Sequence, residues 1–485
     1  MSEKVLANLE PKIVWEIFEE ITKVPRPSKK EEKIRKWVKE WAKKYNITVK
    51  KEDDVGNILL YKEASADCED YPTLIFQAHL DMVCQKLPDI EIDFDNDPIN
   101  VMIEGSNVKA KGTTLGADNG IGMAFCLASL ISDDLKHGAI EVLFTVDEET
   151  GLTGAFAIKP GFFTGKYLLN VDIEELGKIT ISSAGRGGTD FTIPIEFENK
   201  TNYSGLKLTV TGLQGGHSGT DIDLPKLNAI KVGIDTLLDL QDEILISSIS
   251  AGSAHNAIPR DFEVIFLAPT KTKQAILKKL DVWKKNTLEI AKISEKNIEI
   301  EITEIKVTVA INSENTKSIL NILSEINHGP YSYSKEIFGL VQTSSNLAII
   351  KTTEKEVQIH VNTRSSVNEE LEEVRTNLKK MGEKYGAQII LDEAYPAWKP
   401  NPDSAFLKLV QAKYKEVLEK DVELEAIHAS LECSLFVAVD PELQVTSIGP
   451  NIHNAHSPDE FIEIESVGIL WNVIKKVIEN MGSLN

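Results

Sequence analysis

Several apolar segments of this 485-residue chain run straight into residues that can carry acid–base or metal chemistry. Residues 73–78 lead into His79-Leu-Asp81, residues 140–146 into Asp147-Glu148-Glu149-Thr-Gly, and residues 167–171 into Asp172. Residues 444–448 lead through Gly449-Pro-Asn to His453 and then His456-Ser-Pro-Asp-Glu460. The loop Gly112-Thr-Thr-Leu-Gly-Ala-Asp118-Asn-Gly adds one more carboxylate ahead of an apolar, helix-length stretch. Open α/β sheets bind ligands outside the carboxyl ends of their strands, so polar residues gathered at those ends form one candidate site.

His79, Asp118, Glu149, Asp172 and His456 supply two imidazoles and three carboxylates. Nitrogen and oxygen donors without sulfur suit catalytic zinc or a similar divalent ion rather than a structural zinc site. Five ligands exceed the needs of one open tetrahedral site. With one carboxylate bridging, each of two metals receives three protein ligands and the pair can share a water. Two dications against three carboxylates leave one positive charge, which a single hydroxide neutralises. Such a pair activates water and polarises a carbonyl. Asp81 lies two residues from His79, on the same face of an extended backbone, where it can hold the other ring N–H. Glu148 adjoins a ligand but projects differently, which suits a general base that later returns the proton to a leaving amine. His453 is a competing histidine; the Ser-Pro-Asp-Glu context favours His456.

The elements that must position these groups follow from hydrophobic periodicity. Residues 10–45 read as two amphipathic helices separated by Pro25-Arg-Pro-Ser28, with Ser28 able to cap the second. Short apolar strands over 58–61, 73–78, 140–146 and 167–171, with a helix at 121–132, indicate a buried, largely parallel sheet. After Gly185-Arg-Gly-Gly188 the pattern changes to alternating strands such as 206–211 and 357–362. Each group is followed by a charged helix: 224–240, 271–293, 313–327 and 366–385. Two rounds of similar order suggest two fused βαββαβ units in an α+β layer. Helix 406–420, strand 444–448 and helix 465–481 then restore the first pattern. The expectation is an α/β catalytic domain over 1–184 and 396–485, interrupted by an inserted α+β domain of ferredoxin-like units over 185–395.

Composition bounds the function. The formal charge of −22 disfavours nucleic acid and anionic membranes as partners. The four cysteines lie far apart with no CxxC pair, against a disulfide framework or a thiolate zinc cage. The most apolar stretch, residues 120–131, is too short to span a bilayer, and residues 1–46 carry charges throughout, unlike an export signal. A soluble cytoplasmic protein is expected.

The ordered set His79-Leu-Asp81, Gly116-Ala-Asp118-Asn-Gly, Asp147-Glu148-Glu149-Thr-Gly, Asn170-Val-Asp172 and Ala455-His456-Ser-Pro-Asp-Glu resembles the di-zinc dipeptidases. More narrowly it resembles the aminoacyl-histidine dipeptidases (Xaa-His dipeptidase, peptidase D, cytosolic non-specific dipeptidase). Residues 114–124 and Ser447-Ile-Gly-Pro450 carry the narrower likeness, which covers nearly the whole chain from Pro25 to His456. The resemblance implies that Asp118 bridges two metals, with His79 and Asp172 completing one site and Glu149 and His456 the other. It implies Glu148 as general base to a metal-bridging hydroxide, and Asp81 as the partner of His79. It makes the inserted domain a lid, in which His217 of Gly-Gly-His-Ser-Gly stabilises the oxyanion. Asn256 and Arg364 then grip the substrate's carboxylate.

The implied activity is hydrolysis of unblocked dipeptides, Xaa-His among them, with zinc, or else cobalt or manganese, as cofactor. A related tripeptidase, an N-acyl amino acid deacylase and a non-catalytic peptide-binding homologue are the alternatives. The sequence leaves open monomer against homodimer, and leaves Glu432 between receiving the substrate's ammonium and a structural role.

Overall fold

A computed structural model describes residues 4–484. The chain divides into two compact units: Met1–Ser182 with Pro400–Ala426 and Leu431–Asn485, and Ser183–Lys399 with Ile427–Ser430. The return of Ile427–Ser430 to the second unit, where the sequence expectation had 396–485 in the first, has a local cause. The Ala184 N–H donates to the carbonyls of Ile427 (3.1 Å) and Ala429 (2.9 Å).

The first unit is built on an eight-stranded sheet in the order Thr48–Glu52, Ile58–Lys62, Ile140–Thr145, Leu74–His79, Tyr167–Asn170, Gln444–Ser447, Lys178–Ser183, Glu423–Ile427. Its four central strands, Ile140–Thr145 through Gln444–Ser447, are mutually parallel, and antiparallel strands flank them. Leu74–His79 and Ile140–Thr145 are buried along their whole length, which explains why they are mainly apolar: helices cover both faces of such strands. Helix Ala117–Ile131 packs on strand Leu74–His79 and against helix Lys12–Ile21. Two glycines permit close approach at the strand ends. A Cβ on Gly122 would stand 2.4 Å from the Val171 carbonyl, and one on Gly449 would stand 1.4 Å from that of Ile173. Side chains there would push apart the segments on either side of Asp172.

Ser28 does not cap the second helix. Glu32–Lys44 begins with Glu31 at its cap position and no side-chain cap bond, while the Ser28 hydroxyl bonds Asp81. The loop thus serves the site rather than the helix.

The second unit holds a nine-stranded sheet in the order Glu299–Ile305, Tyr203–Thr211, Phe262–Pro269, Leu245–Ala251, Val341–Thr352, Glu356–Ser365, Gly185–Pro194, Gln388–Leu391, with Gly329–Tyr333 also on Val341–Thr352. Helices Ala229–Leu238, Lys273–Ala291, Ser313–Glu325 and Asn368–Lys384 accompany it. One βαββαβ unit runs from 203 to 305, with its strands in spatial order 4-1-3-2. The other has Gly185–Pro194 as its first strand and resumes only at Ser313–Glu325, again in order 4-1-3-2. The two units are therefore nested, not consecutive. They join edge to edge, Ser250 opposite Lys351 and Ala251 opposite Ile350, so one continuous sheet spans both. Alternating strands such as Gly185–Pro194 put every second residue into the core beneath the helices.

Candidate active site

Strand Leu74–His79 delivers His79 to the carboxyl edge of the first unit's sheet, opposite Thr145 of the neighbouring parallel strand. Asp81, fully buried, is a hub. Its Oδ1 lies 3.2 Å from His79 Nδ1 and accepts the Glu148 N–H at 3.0 Å, and its Oδ2 accepts the Glu149 N–H at 3.2 Å. One carboxylate thereby fixes both the imidazole and the turn bearing the two glutamates. Burial works against its charge, but the bonds from His79, Glu148 and Ser28 hold its pKa down to about 2.

Asp118 stands between two groups. Its Oδ1 is 3.0 Å from His79 Nε2, and its Oδ2 is 3.0 Å from His456 Nε2. His79 Nε2 is also 3.4 Å from Asp172 Oδ1, and His456 Nε2 is 3.0 Å from Glu149 Oε2. His79, Asp118 and Asp172 form one triad and Asp118, Glu149 and His456 another, the ligand atoms of each lying within 4.8 Å of one another. Glu148 forms a third such group with His79 and Glu149. His453 stays outside: it bonds Glu463 Oε1 at 2.9 Å and stacks on Phe461.

The donor set fits a pair of divalent cations. Donors about 2.0–2.1 Å from a tetrahedral zinc lie roughly 3.3 Å from one another, and the four His–carboxylate separations are 3.0 to 3.4 Å. Glu149 Oε1 is buried without a hydrogen-bond partner. The charges point the same way. Burial, then Asp118 and Glu149 against the pull of His79, raises Asp172 to about 6. Hydrogen bonds donated to the Asp118 and Glu149 carboxylates raise His456 to about 11. For His79, burial favours the neutral ring, but Asp172 and Asp118 outweigh it and the net shift is upward. Protons on both imidazoles are the cheapest positive charge available to this crowd of carboxylates, and cations supply that charge directly. Glu148 is raised well above an ordinary glutamate by burial and by Asp172, Glu432 and Glu149, with His79 opposing.

Residues outside the expected set hold this geometry. Glu460, buried, accepts the N–H groups of Leu115 (2.7 Å), Gly116 (3.0 Å), Ala117 (2.8 Å) and Asp118 (3.4 Å), clamping the loop that presents Asp118. Arg26, equally buried, donates to the carbonyls of Leu80, Asp81 and Gly116 and so ties two ligand loops together. Asn119 donates to Asp172. Glu432 accepts from Gln77 (2.7 Å) and Thr145 (2.9 Å). The signal for Glu460 lay in the motif after His456, and that for Arg26 in Pro25-Arg-Pro-Ser28; their roles as backbone clamps had no marker.

His217, Asn256 and Arg364 lie in the second unit. His217 pairs with Ala257 in a short two-stranded ladder, and the Ser218 N–H donates to the Asn256 carbonyl at 2.8 Å, so His217 and Asn256 are neighbours. His217 Nδ1 accepts the N–H groups of Gly219 (3.3 Å) and Thr220 (3.2 Å). Burial, then Arg364, lowers its pKa. The ring is neutral and its hydrogen sits on Nε2. Arg364 is buried, with Nε unpartnered, and burial and Arg186 lower it to about 10.

The fold and the paired triads define a class: an α/β scaffold with a candidate two-cation centre and an inserted double ferredoxin-like unit. The model of peptidase family M20/M25/M40 matches residues 75–480, and the chain belongs to this family. It is 37% identical to the cytosol non-specific dipeptidase of Escherichia coli (strain K12), over 98% of this chain and 99% of that protein. The crystal structure of aminoacylhistidine dipeptidase from Vibrio alginolyticus superposes with a TM-score of 0.92 at 35% identity, over 98% of this chain and 97% of that one. The aminopeptidase PepT of Bacillus cereus shares the fold at a TM-score of 0.57 and 16% identity, over 98% of this chain and 99% of that one.

Proposed function

We propose that this chain is a metallodipeptidase that hydrolyses unblocked dipeptides, including those ending in histidine. The observation that carries the reading is Asp118, shared by two His–carboxylate triads with Glu148 beside them. It is supported by 37% identity over nearly the full length to a dipeptidase. A cytoplasmic location accords with the name of that relative.

Asp118 would hold both of two divalent cations, zinc first and cobalt or manganese as alternatives, with His79 and Asp172 on one and Glu149 and His456 on the other. Bound there, such cations would acidify water to a pKa of about 7 and polarise the scissile carbonyl. Glu148 takes the proton of the attacking water as its oxygen bonds the carbonyl carbon. A glutamate whose pKa is raised by burial is a better proton acceptor than an ordinary carboxylate. When the C–N bond breaks, Glu148 returns that proton to the leaving amine. Asp81 keeps His79 in one tautomer and holds the Glu148 turn through its backbone N–H. As the family resemblance implies, His217 Nε2–H would donate to the oxygen that gains charge, and Arg364 with Asn256 would bind the substrate's carboxylate.

The test is a panel of dipeptides, tripeptides and N-acyl amino acids, run with metal analysis of the same preparation. Dipeptides should be cleaved fastest. Preference for tripeptides or N-acyl amino acids would move the assignment to a tripeptidase or a deacylase, and no cleavage would leave a peptide-binding homologue.

A further inference from the structure

In the second unit two arginines face each other across the ladder of strands Gly185–Pro194 and Glu356–Ser365, Arg364 buried and Arg186 half-buried. Among the described residues neither Arg364 nor Arg186 makes an ion pair; Arg186 meets only the His255 ring, at 3.2 Å. Arg364 sits opposite Ser344 in the ladder of strands Val341–Thr352 and Glu356–Ser365. The Ser344 hydroxyl lies 2.7 Å from Nε2 of His428, which is contributed by the short return segment Ile427–Ser430. His428 is 7% exposed, and its Nδ1 is buried without a hydrogen-bond partner. The Arg364 Nε is orphaned in the same way. A Cβ added to Gly219 would meet both the His428 carbonyl, at 2.2 Å, and the His217 ring, at 3.1 Å, so the two histidines share one corner.

Unsatisfied buried donors cost free energy unless a ligand completes them. Burial, then Arg364 and His217, drives His428 down to about 3, so its ring is neutral at physiological pH. The Ser344–Nε2 contact serves either tautomer, and in the one in which the hydroxyl donates the ring hydrogen is on Nδ1, free for a ligand. Neutral donors beside an uncompensated guanidinium suit a carboxylate, whose several lone pairs can accept all of them.

We propose that His428, oriented by Ser344, is a specificity-determining residue that donates Nδ1–H to the substrate's C-terminal carboxylate alongside Arg364. The proposal rests on the dipeptidase reading above and adds to it the discrimination between a free C-terminus and a blocked one. Nothing in the sequence flagged His428, because its partners Ser344 and Arg364 are distant in the chain.

The test compares a dipeptide with its C-terminal amide on wild type, His428→Leu, His428→Gln and Ser344→Ala. His428→Leu should raise KM for the free dipeptide by about tenfold or more, the usual weight of a hydrogen bond to a charged group. Its kcat should stay within roughly threefold, as expected when only binding is lost. Its KM for the amide should not move. His428→Gln, which keeps a donor, should recover part of the loss, and Ser344→Ala should shift KM the same way by less. Should His428→Leu fail to fold, the Gln and Ala variants carry the same comparison. A second readout needs no catalysis: ligand-observed NMR titration with L-alanine and L-alaninamide, in which wild type should favour the carboxylate and His428→Leu should lose that preference. If the free dipeptide and L-alanine keep their wild-type advantage in every variant, His428 does not read the carboxylate. If wild type favours L-alanine but cleaves no dipeptide, the receptor stands and the dipeptidase reading falls.

Discussion

The two polar clusters of this protein are electrostatic opposites. In the first unit, Asp118, Glu149 and Asp172 crowd two imidazoles and draw protons onto His456, whose pKa rises to about 11. In the second, Arg364 and Arg186 make no ion pair among the described residues, and His428 falls to about 3. One cluster is short of positive charge and the other of negative charge. Each is defined by what it lacks, cations in one case and an anion in the other. A structure can thus indicate its ligands through the charge that its own side chains leave unbalanced.

The largest effect should come from the acid-rich cluster. Stripping bound metal with a chelator should abolish dipeptide hydrolysis, and adding back zinc, cobalt or manganese should restore it. His79→Ala should mimic the stripped protein and retain less metal by elemental analysis. Glu148→Gln should separate the two functions of that cluster. Metal content should match wild type while kcat falls by about 10²–10⁴-fold, the usual contribution of a positioned general base. An unchanged kcat would remove Glu148 from the mechanism.

On the opposite side, Arg364→Met should raise KM for free dipeptides more than it lowers kcat, since the guanidinium is assigned to binding. Steady-state kinetics across a substrate series reads the split. If kcat carried most of the loss, Arg364 would belong to the transition state instead.

The clamp of the Asp118 loop offers a smaller, structural test. Glu460→Gln keeps the shape but exchanges a charged acceptor of several N–H groups for one neutral oxygen. Stability should fall by about 1–3 kcal/mol by chemical denaturation, with weaker metal retention.

Acid should act on the second unit with the opposite sign from a salt-bridged histidine. His428 and His328 are depressed by burial to about 3 and about 4, so the unfolded chain binds more protons than the native one below the ordinary histidine pKa. Their neutral burial is favourable above about pH 6.5, and that contribution is lost as pH falls toward 4. His328→Asn should therefore make the melting temperature less sensitive to acid than that of wild type between pH 7 and pH 5, as scanning calorimetry would show.

The two clusters also differed in how far the sequence disclosed them. Most of the candidate ligands of the first follow mainly apolar strands, and a parallel sheet brings such strand ends to one edge. His79, Asp118, Glu149, Asp172 and His456 are therefore legible as a set in the sequence. The clamps could not: Glu460 and Arg26 act on backbone N–H and carbonyl groups, which carry no residue identity. Ser28 went to Asp81 instead of a helix cap because tertiary partners outrank local propensity. In the second unit, the helices and alternating strands were legible. The nesting of one βαββαβ unit inside the other was not, because strand Gly185–Pro194 finds its neighbours 356–365 and 388–391 only across the whole inserted unit.

The most direct test of the central claim is a metal titration of fully stripped protein, followed by dipeptide hydrolysis at each step. The account predicts no turnover at zero metal and full activity near two equivalents per chain, as about one cation per triad requires. Full turnover by protein freed of divalent metal would contradict it.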